Sequence, residues 1–185
     1  EDLSGTALKT LIVGTGVLEK VPEAAKLPET IEEINLMANN IHYLDQDYSG
    51  LTNLKTLMLH GNRIYEWPQS LKGVSSLEQL NIMGGCYEDI PEDAFDNMPN
   101  LKRLDIGINL RMQEAGYNAN GQMQYELLEG TGAAAAVAKL KENTGAYVFV
   151  NYNLSEANYP ALRNIESNGV SFDVAESAPL FYLIY

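Results

Sequence analysis

The chain has 185 residues, a net charge of −13 at pH 7 and 45% hydrophobic residues. This length suits one domain, or one domain with a cap, and the apolar content is ordinary for a globular protein. The acidic charge argues against nucleic acid or an anionic membrane as the partner, because both bind basic surfaces. No apolar run approaches the ~20 residues of a membrane-spanning helix, and the single cysteine allows no internal disulfide.

The first predicted elements are five copies of one apolar pattern. The copies begin at positions 8, 31, 54, 77 and 101, so the steps between them are 23, 23, 23 and 24 residues. The third copy, "LKTLMLHGNRI", places leucines at Leu54, Leu57 and Leu59, followed by Asn62 and Ile64. These offsets fit neither an α-helix nor a simple alternating strand. A period of this size, kept over five copies, indicates a stacked solenoid.

Each copy predicts one short strand whose apolar side chains point into the solenoid with period 2. We expect parallel strands at about residues 10–13, 33–36, 56–59, 79–82 and 103–106. Where the chain leaves each strand, a buried amide side chain can bond backbone groups of successive turns. Three asparagines fit such an amide ladder: Asn39, Asn62 and Asn109. Gly16 and Gly85 stand at the same position in the first and fourth copies, where we expect the ladder to be broken, and Cys86 is a candidate to fill the fourth gap.

Residues 8–110 resemble leucine-rich repeats, which share the pattern L-x-x-L-x-L-x-x-N-x-L, and in particular the short, regular repeats of bacterial surface and secreted proteins. The resemblance implies an α/β fold, namely a right-handed solenoid with a curved parallel sheet whose concave face binds a protein or peptide. It implies neither an enzyme nor a cofactor. It favours an extracellular, cell-surface or periplasmic location, with the cytoplasm as the alternative.

The pattern ends after the fifth copy, which divides the chain into repeats over 1–110, an insertion over 111–130 and a C-terminal region over 131–185. The insertion mixes Gly and Asn with polar residues and is predicted to be irregular. The C-terminal region predicts helices at 131–143 and 155–169 and strands at 146–152, 170–174 and 180–185. The two strands at 146–152 and 170–174 are about one repeat apart, so we expect them to continue the sheet and cap the solenoid. A separate small α/β domain is the alternative.

Residues between the inward leucines face out of the sheet and define a candidate binding site. Its members are Met37, Met58, His60, Met83, Asn35, Asn81, Glu33 and Asp105. The methionines and the histidine are expected to form one patch from three adjacent copies, and exposed methionines adapt well to a partner surface. Glu33 and Asp105 are expected at the rim. Alternatively, the C-terminal segment or a second copy of the chain covers these side chains.

Two functional hypotheses follow. The chain is either a protein-binding module, or an architectural spacer segment of a larger secreted or surface protein with no dedicated ligand. His42 and His60 occupy different positions in their copies and lie 18 residues apart, so no shared metal site is expected. No phosphate-binding loop or nucleophile elbow is present. The first copy begins only seven residues into the chain, so its edge strand is expected to be uncapped and to favour an oligomer.

Overall fold

The computed structural model describes residues 2–14, 16, 18–107, 110–121, 123–151, 165–167 and 170–172, with side chains up to residue 150. In chain order the elements are β1 Thr10–Ile12, β2 Glu33–Asn35, β3 Thr56–Met58, β4 Gln79–Asn81, β5 Arg103–Gly107, β6 Met112–Tyr117, β7 Met123–Leu127, α1 Gly132–Thr144, β8 Tyr147–Asn151, β9 Ile165–Ser167 and β10 Val170–Phe172. The five predicted repeat strands are confirmed to within one residue at each end.

A six-stranded parallel sheet forms the body of the molecule, in the order β1, β2, β3, β4, β5, β8. The strands share one register, in which one inward row of side chains runs across the sheet: Leu11, Ile34, Leu57, Leu80, Leu104 and Val148. The row is buried from Ile34 onward. A three-residue strand cannot bury its apolar face alone, so each turn is stabilised mainly by the turns on either side.

The convex side of the turns contributes the opposite wall of the core. Short 3-10 helices cross it at Ala24–Lys26 and Gln69–Gly73. One buried apolar residue recurs thirteen positions after each of the first four copy starts: Val21, Leu44, Trp67 and Ile90. These side chains and the inward sheet row belong to one continuous hydrophobic cluster.

Asn62 joins successive turns inside the solenoid, as the amide ladder predicts. Its amide nitrogen donates to Leu36 O and Leu59 O, both at 2.8 Å, and its oxygen accepts the Ile41 N–H at 3.0 Å. The side chain is 1% exposed. Its bonds therefore satisfy backbone groups of two turns where water has no access.

Asn39 repeats this arrangement one turn earlier. Its amide nitrogen donates to Val13 O at 2.6 Å and to Leu36 O at 2.9 Å, while its oxygen accepts the Leu18 N–H at 3.1 Å. The ladder is therefore confirmed at two neighbouring turns. Asn109, its third predicted member, lies outside the described residues.

In the fourth copy a tyrosine occupies the place of the ladder asparagine. The Tyr87 hydroxyl donates to Ile82 O at 3.1 Å, the carbonyl that corresponds to Leu59 O one turn earlier. The ring is buried, and a Cβ added at Gly85 would lie only 2.1 Å from it. Glycine at this position thus leaves room for the tyrosine ring. Tyr87, rather than Cys86, fills the gap that the missing asparagine leaves.

A second set of polar bonds joins the turns just before each strand, and the sequence analysis missed it. In copies two to five, the residue just before the copy donates a side-chain hydrogen bond to a carbonyl of the preceding turn. These residues are Thr30, Asn53, Ser76 and Asn100, with donor–acceptor distances of 2.8, 2.9, 2.7 and 3.1 Å to Leu8 O, Glu29 O, Leu54 O and Ser75 O. Their recurrence at one repeat position is the signal that could have revealed them.

The segment 111–130 contains two strands, so its predicted irregularity is wrong. β6 and β7 pair antiparallel, with a register shift between Glu114 and Gly116. The connecting turn is closed by Gly121 N–H donating to Asn118 O at 3.0 Å, and Gly121 has a φ of 76°. Asn and Gly therefore mark a hairpin turn here rather than a loop without regular structure.

The C-terminal region confirms one part of the prediction and corrects another. α1 matches the predicted first helix, and β8 pairs parallel with β5 as the sixth strand of the sheet. β9 and β10 instead pair with each other antiparallel and join β6 and β7 in a second sheet. The expectation that 170–174 extends the repeat sheet is wrong, and the part of the predicted second helix at Ile165–Ser167 is a strand. The predicted strand at 180–185 lies outside the described residues, and the division of the chain into domains stays a prediction.

α1 replaces the short convex crossing of the earlier turns. Thr131 caps its first turn, because the hydroxyl oxygen accepts the Ala134 N–H at 3.2 Å. The Asp89 carboxylate also accepts the N–H groups of Gly132 and Ala133, at 3.2 and 2.8 Å, and pairs with Arg111. These contacts fix the start of the helix on the preceding turn and so position β8 beside β5.

Candidate binding surface on the parallel sheet

Three rows of outward side chains cross the sheet, and the shared register sets their composition. The middle row contains Asn35, Met58, Asn81 and Asp105 on β2 to β5. A third row follows the strand ends. It stays aligned because the Ala38 N–H donates to His60 O at 2.9 Å and the Gly61 N–H donates to Met83 O at 3.2 Å. Met37, His60 and Met83 therefore stand on three adjacent turns, next to Met58.

The methionine patch, defined as Met37, Met58, His60 and Met83, is open at one end and partly covered at the other. Met37 is 41% exposed. Met58, His60 and Met83 are half-buried, as are Asn35, Asn81 and Glu33 at the edges of the patch. Hydrogen bonds between neighbouring turns fix the backbone positions of these residues relative to one another.

The two asparagines of the middle row are oriented by their own backbone. Asn35 Oδ1 accepts the Met37 N–H and Asn81 Oδ1 accepts the Met83 N–H, both at 3.2 Å. These bonds use the oxygen end of each amide. The nitrogen ends, on either side of Met58, donate no hydrogen bond to the described residues.

Asp105 differs from the other predicted site residues because it is 3% exposed. Both of its oxygens accept hydrogen bonds from the Arg103 guanidinium, at 2.9 Å, and that pairing raises the pKa of Arg103. The guanidinium also lies over the Tyr147 ring, 5.4 Å from its centroid. Asp105 is thus a covered ion-pair partner and does not present a negative charge at the rim.

The sixth strand extends the rows beyond the predicted site. Phe149 on β8 stands beside Asp105 in the middle row and is buried. Tyr147 stands beside Arg103 in the neighbouring row. Treating β8 as a sixth copy of the repeat would have revealed both residues from the sequence.

His60 lies in a mixed electrostatic environment. Burial lowers the pKa of its imidazole, and the nearby Asp105 carboxylate opposes that shift only in part. The neutral form is therefore favoured in the folded protein. A neutral imidazole among methionines leaves this part of the patch without a charge.

In the part of the chain that the structure describes, no group of three or more His, Cys, Asp or Glu side chains is placed to hold a metal ion. None of the helices described there has the length and apolar character needed to cross a membrane.

The chain resembles known leucine-rich repeat proteins over part of its length. No family model matches it. It is 38% identical to leucine-rich repeat-containing protein 58 of Xenopus laevis over 71 residues, which cover 37% of this chain and 20% of that protein. It is 39% identical over 64 residues to leucine-rich repeat-containing G-protein coupled receptor 5 of Bos taurus, covering 34% of this chain and 7% of the receptor. A match of 33% over 92 residues to the transforming growth factor beta activator LRRC33 of Danio rerio covers 46% of this chain and 13% of the activator.

The chain thus spans a fifth or less of the length of these relatives. Their names agree with the structure, since parallel strands recurring every 23 or 24 residues form a leucine-rich-repeat solenoid. The three relatives come from vertebrates. The resemblance to bacterial surface proteins in particular stays a prediction.

Proposed function

We propose that this chain is a non-enzymatic module that binds a protein or peptide through the methionine patch. The observation that carries the proposal is the register of the sheet, which brings three methionines and a histidine from three adjacent turns onto one rigid surface. Because the strands already fix their positions, little side-chain and backbone entropy is lost on contact. Relatives that are named a receptor and an activator support an interaction role.

The chemistry of the patch fits a polypeptide better than a sugar. Thioethers are polarizable and adapt their shape to an apolar partner surface. The amide nitrogens of Asn35 and Asn81 add donors for backbone carbonyls, one on each side of Met58. A sugar site would be expected to offer more aromatic rings at this position.

Charge adds a kinetic component to the proposed binding. The chain carries a net charge of −13, and Glu33 stands at the edge of the patch. A basic or neutral partner is therefore favoured, and its association rate is expected to fall with added salt. The related receptor supports a cell-surface or extracellular location, with the cytoplasm as the alternative. A bacterial origin and an oligomer formed through β1 are further parts of the proposal.

The test is a comparative pull-down from the native environment with the wild type and the double variant Met58→Asp plus Met83→Asp. Met112→Asp plus Met123→Asp is the matched control, because these two methionines are also half-buried but lie in the β6–β7 hairpin. Circular dichroism and thermal melts must first show that all three proteins are folded.

We expect the wild type and the hairpin control to retain the same partner and the patch variant to lose it. Equal retention by all three proteins would refute the patch as the binding surface. Failure of the wild type to capture any partner would favour the architectural role.

A further inference from the structure

A second group of exposed aromatic side chains lies away from the sheet. Tyr43 and Tyr65 are 52% and 47% exposed, and their ring centroids are 5.7 Å apart in an edge-to-face arrangement. His42 stacks on Tyr65 at 4.8 Å with 28° between the ring planes. These three residues, called the tyrosine patch, follow the ladder asparagines on two adjacent turns, which are joined there by the Tyr65 N–H donating to His42 O at 3.1 Å.

The rings of the tyrosine patch are ordered by one another although much of their area faces solvent. Edge-to-face and stacked contacts of this kind restrict both rings without burying them. The core does not require them, since Trp67 and Leu44 on the same turns are the buried residues. Two exposed, preordered tyrosines on neighbouring turns therefore present aromatic faces to a ligand.

An open cleft with acidic lining lies beside Tyr43. Its polar lining residues are Lys20, Asp45, Glu66, Gln69 and Ser70. Among the described residues, no cation lies within ion-pairing distance of Asp45 or Glu66, and Asp45 accepts one long hydrogen bond of 3.4 Å from the Gln46 amide. Some carboxylates elsewhere, such as Glu23 beside Lys26, are held in ion pairs and are less available to a cation of a partner.

We propose that the tyrosine patch and this cleft form a second docking surface, which receives an arginine or lysine side chain of a protein partner. A cation over a tyrosine face is attracted by the ring quadrupole, and a carboxylate beside the ring adds Coulombic attraction. Two carboxylates, Asp45 and Glu66, line the cleft together with Tyr43 and favour a cation over a neutral sugar. Lys20 lines the same cleft and offsets one of these negative charges.

The first experiment measures binding of a dye-labelled oligo-arginine peptide by fluorescence anisotropy. Tyr43→Leu should weaken binding about two- to fivefold, because an exposed cation–π contact contributes ~0.5–1 kcal/mol and ~1.4 kcal/mol corresponds to a tenfold change. Tyr117→Leu is the matched control, since Tyr117 is 71% exposed and lies on the β6–β7 hairpin. Equal affinities of the two variants would overturn the proposal.

Charge variants separate a specific cleft from the general acidity of the chain. Glu66→Gln should weaken peptide binding more than Glu142→Gln on α1, and Lys20→Gln should strengthen it more than Lys141→Gln. If each cleft variant behaves like its α1 control, the peptide follows net charge alone and the proposed docking surface is wrong. A charge-neutral variant of the methionine patch, Met58→Gln plus Met83→Gln, should bind the peptide like the wild type, because the two surfaces act separately. Loss of binding in that protein would place the cation site on the methionine patch instead.

Discussion

Asn62→Ala tests the internal bonding of the solenoid. The substitution removes three hydrogen bonds from a site without access to water. Leu36 O keeps a second bond, from the Asn39 amide at 2.9 Å. Two backbone groups, Leu59 O and the Ile41 N–H, therefore lose the side-chain partner that Asn62 supplies.

The expected loss of stability follows from these two groups. A buried donor or acceptor left unpaired costs roughly 1–3 kcal/mol, so the upper limit is about 6 kcal/mol. Water that enters the vacated amide volume would restore part of the bonding, which lowers the expected loss to about 2–4 kcal/mol. For a domain of this size the melting temperature should fall by roughly 5–15 °C.

Urea unfolding and thermal melts followed by circular dichroism measure the loss. Asn53→Ala is the matched control, because the Asn53 amide also bonds a carbonyl of the preceding turn, at 2.9 Å, but on the exposed surface. Water replaces that bond, so the control should lose no more than about 1 kcal/mol. Equal losses in the two variants would refute the role assigned to the buried ladder.

Three further substitutions test the other structural arguments. Gly85→Asn alone should destabilise the protein by roughly 1–3 kcal/mol, because its Cβ overlaps the Tyr87 ring. Adding Tyr87→Ile to this variant should recover stability, because the asparagine can then rebuild the ladder. The prediction is contradicted if urea unfolding shows the double variant to be no more stable than Gly85→Asn alone. Because burial lowers the pKa of His60 below its usual 6.5, the unfolded chain binds a proton at higher pH than the folded chain, so the unfolding free energy should fall as pH drops from about 7 to about 5. His60→Gln should reduce this fall, and identical pH slopes for the two proteins would contradict the assignment. Gly132→Ala places a Cβ 2.1 Å from a carbonyl of the preceding turn and should cost roughly 1–3 kcal/mol in a thermal melt, whereas Gly50→Ala, with open space around it, should be near neutral.

The repeat sheet could be predicted from the sequence because its cause is periodic. Leu57 and Leu80 are buried because they occupy the same inward position in successive turns. A shift of the strand register by one residue would turn every inward leucine toward solvent. The buried amides at Asn39 and Asn62 could be predicted for the same reason, since each turn presents the same backbone groups to the side chain.

The features that the sequence analysis missed depend on contacts between positions that do not repeat. Tyr87 replaces an asparagine only because Gly85 leaves room for its ring, and neither residue indicates this alone. The β6–β7 hairpin lacks the β-branched residues that usually mark strands, and its turn residues were interpreted as a loop. Asp105 was expected at the rim because its row position faces outward. Its pairing with Arg103, two residues away on the same strand, instead neutralises its charge.

The central claim is tested most directly by the rate of methionine oxidation, measured with and without the partner that the pull-down recovers. Mass spectrometry after brief peroxide treatment reports the accessibility of each methionine separately. Binding at the methionine patch should protect Met37 strongly and Met58 and Met83 to a lesser degree, because Met37 is the most exposed of the three. Met112 and Met123 on the hairpin serve as internal references and should oxidise at unchanged rates. Protection of the hairpin methionines with unchanged oxidation of Met37 would contradict the account and place the partner on the second sheet.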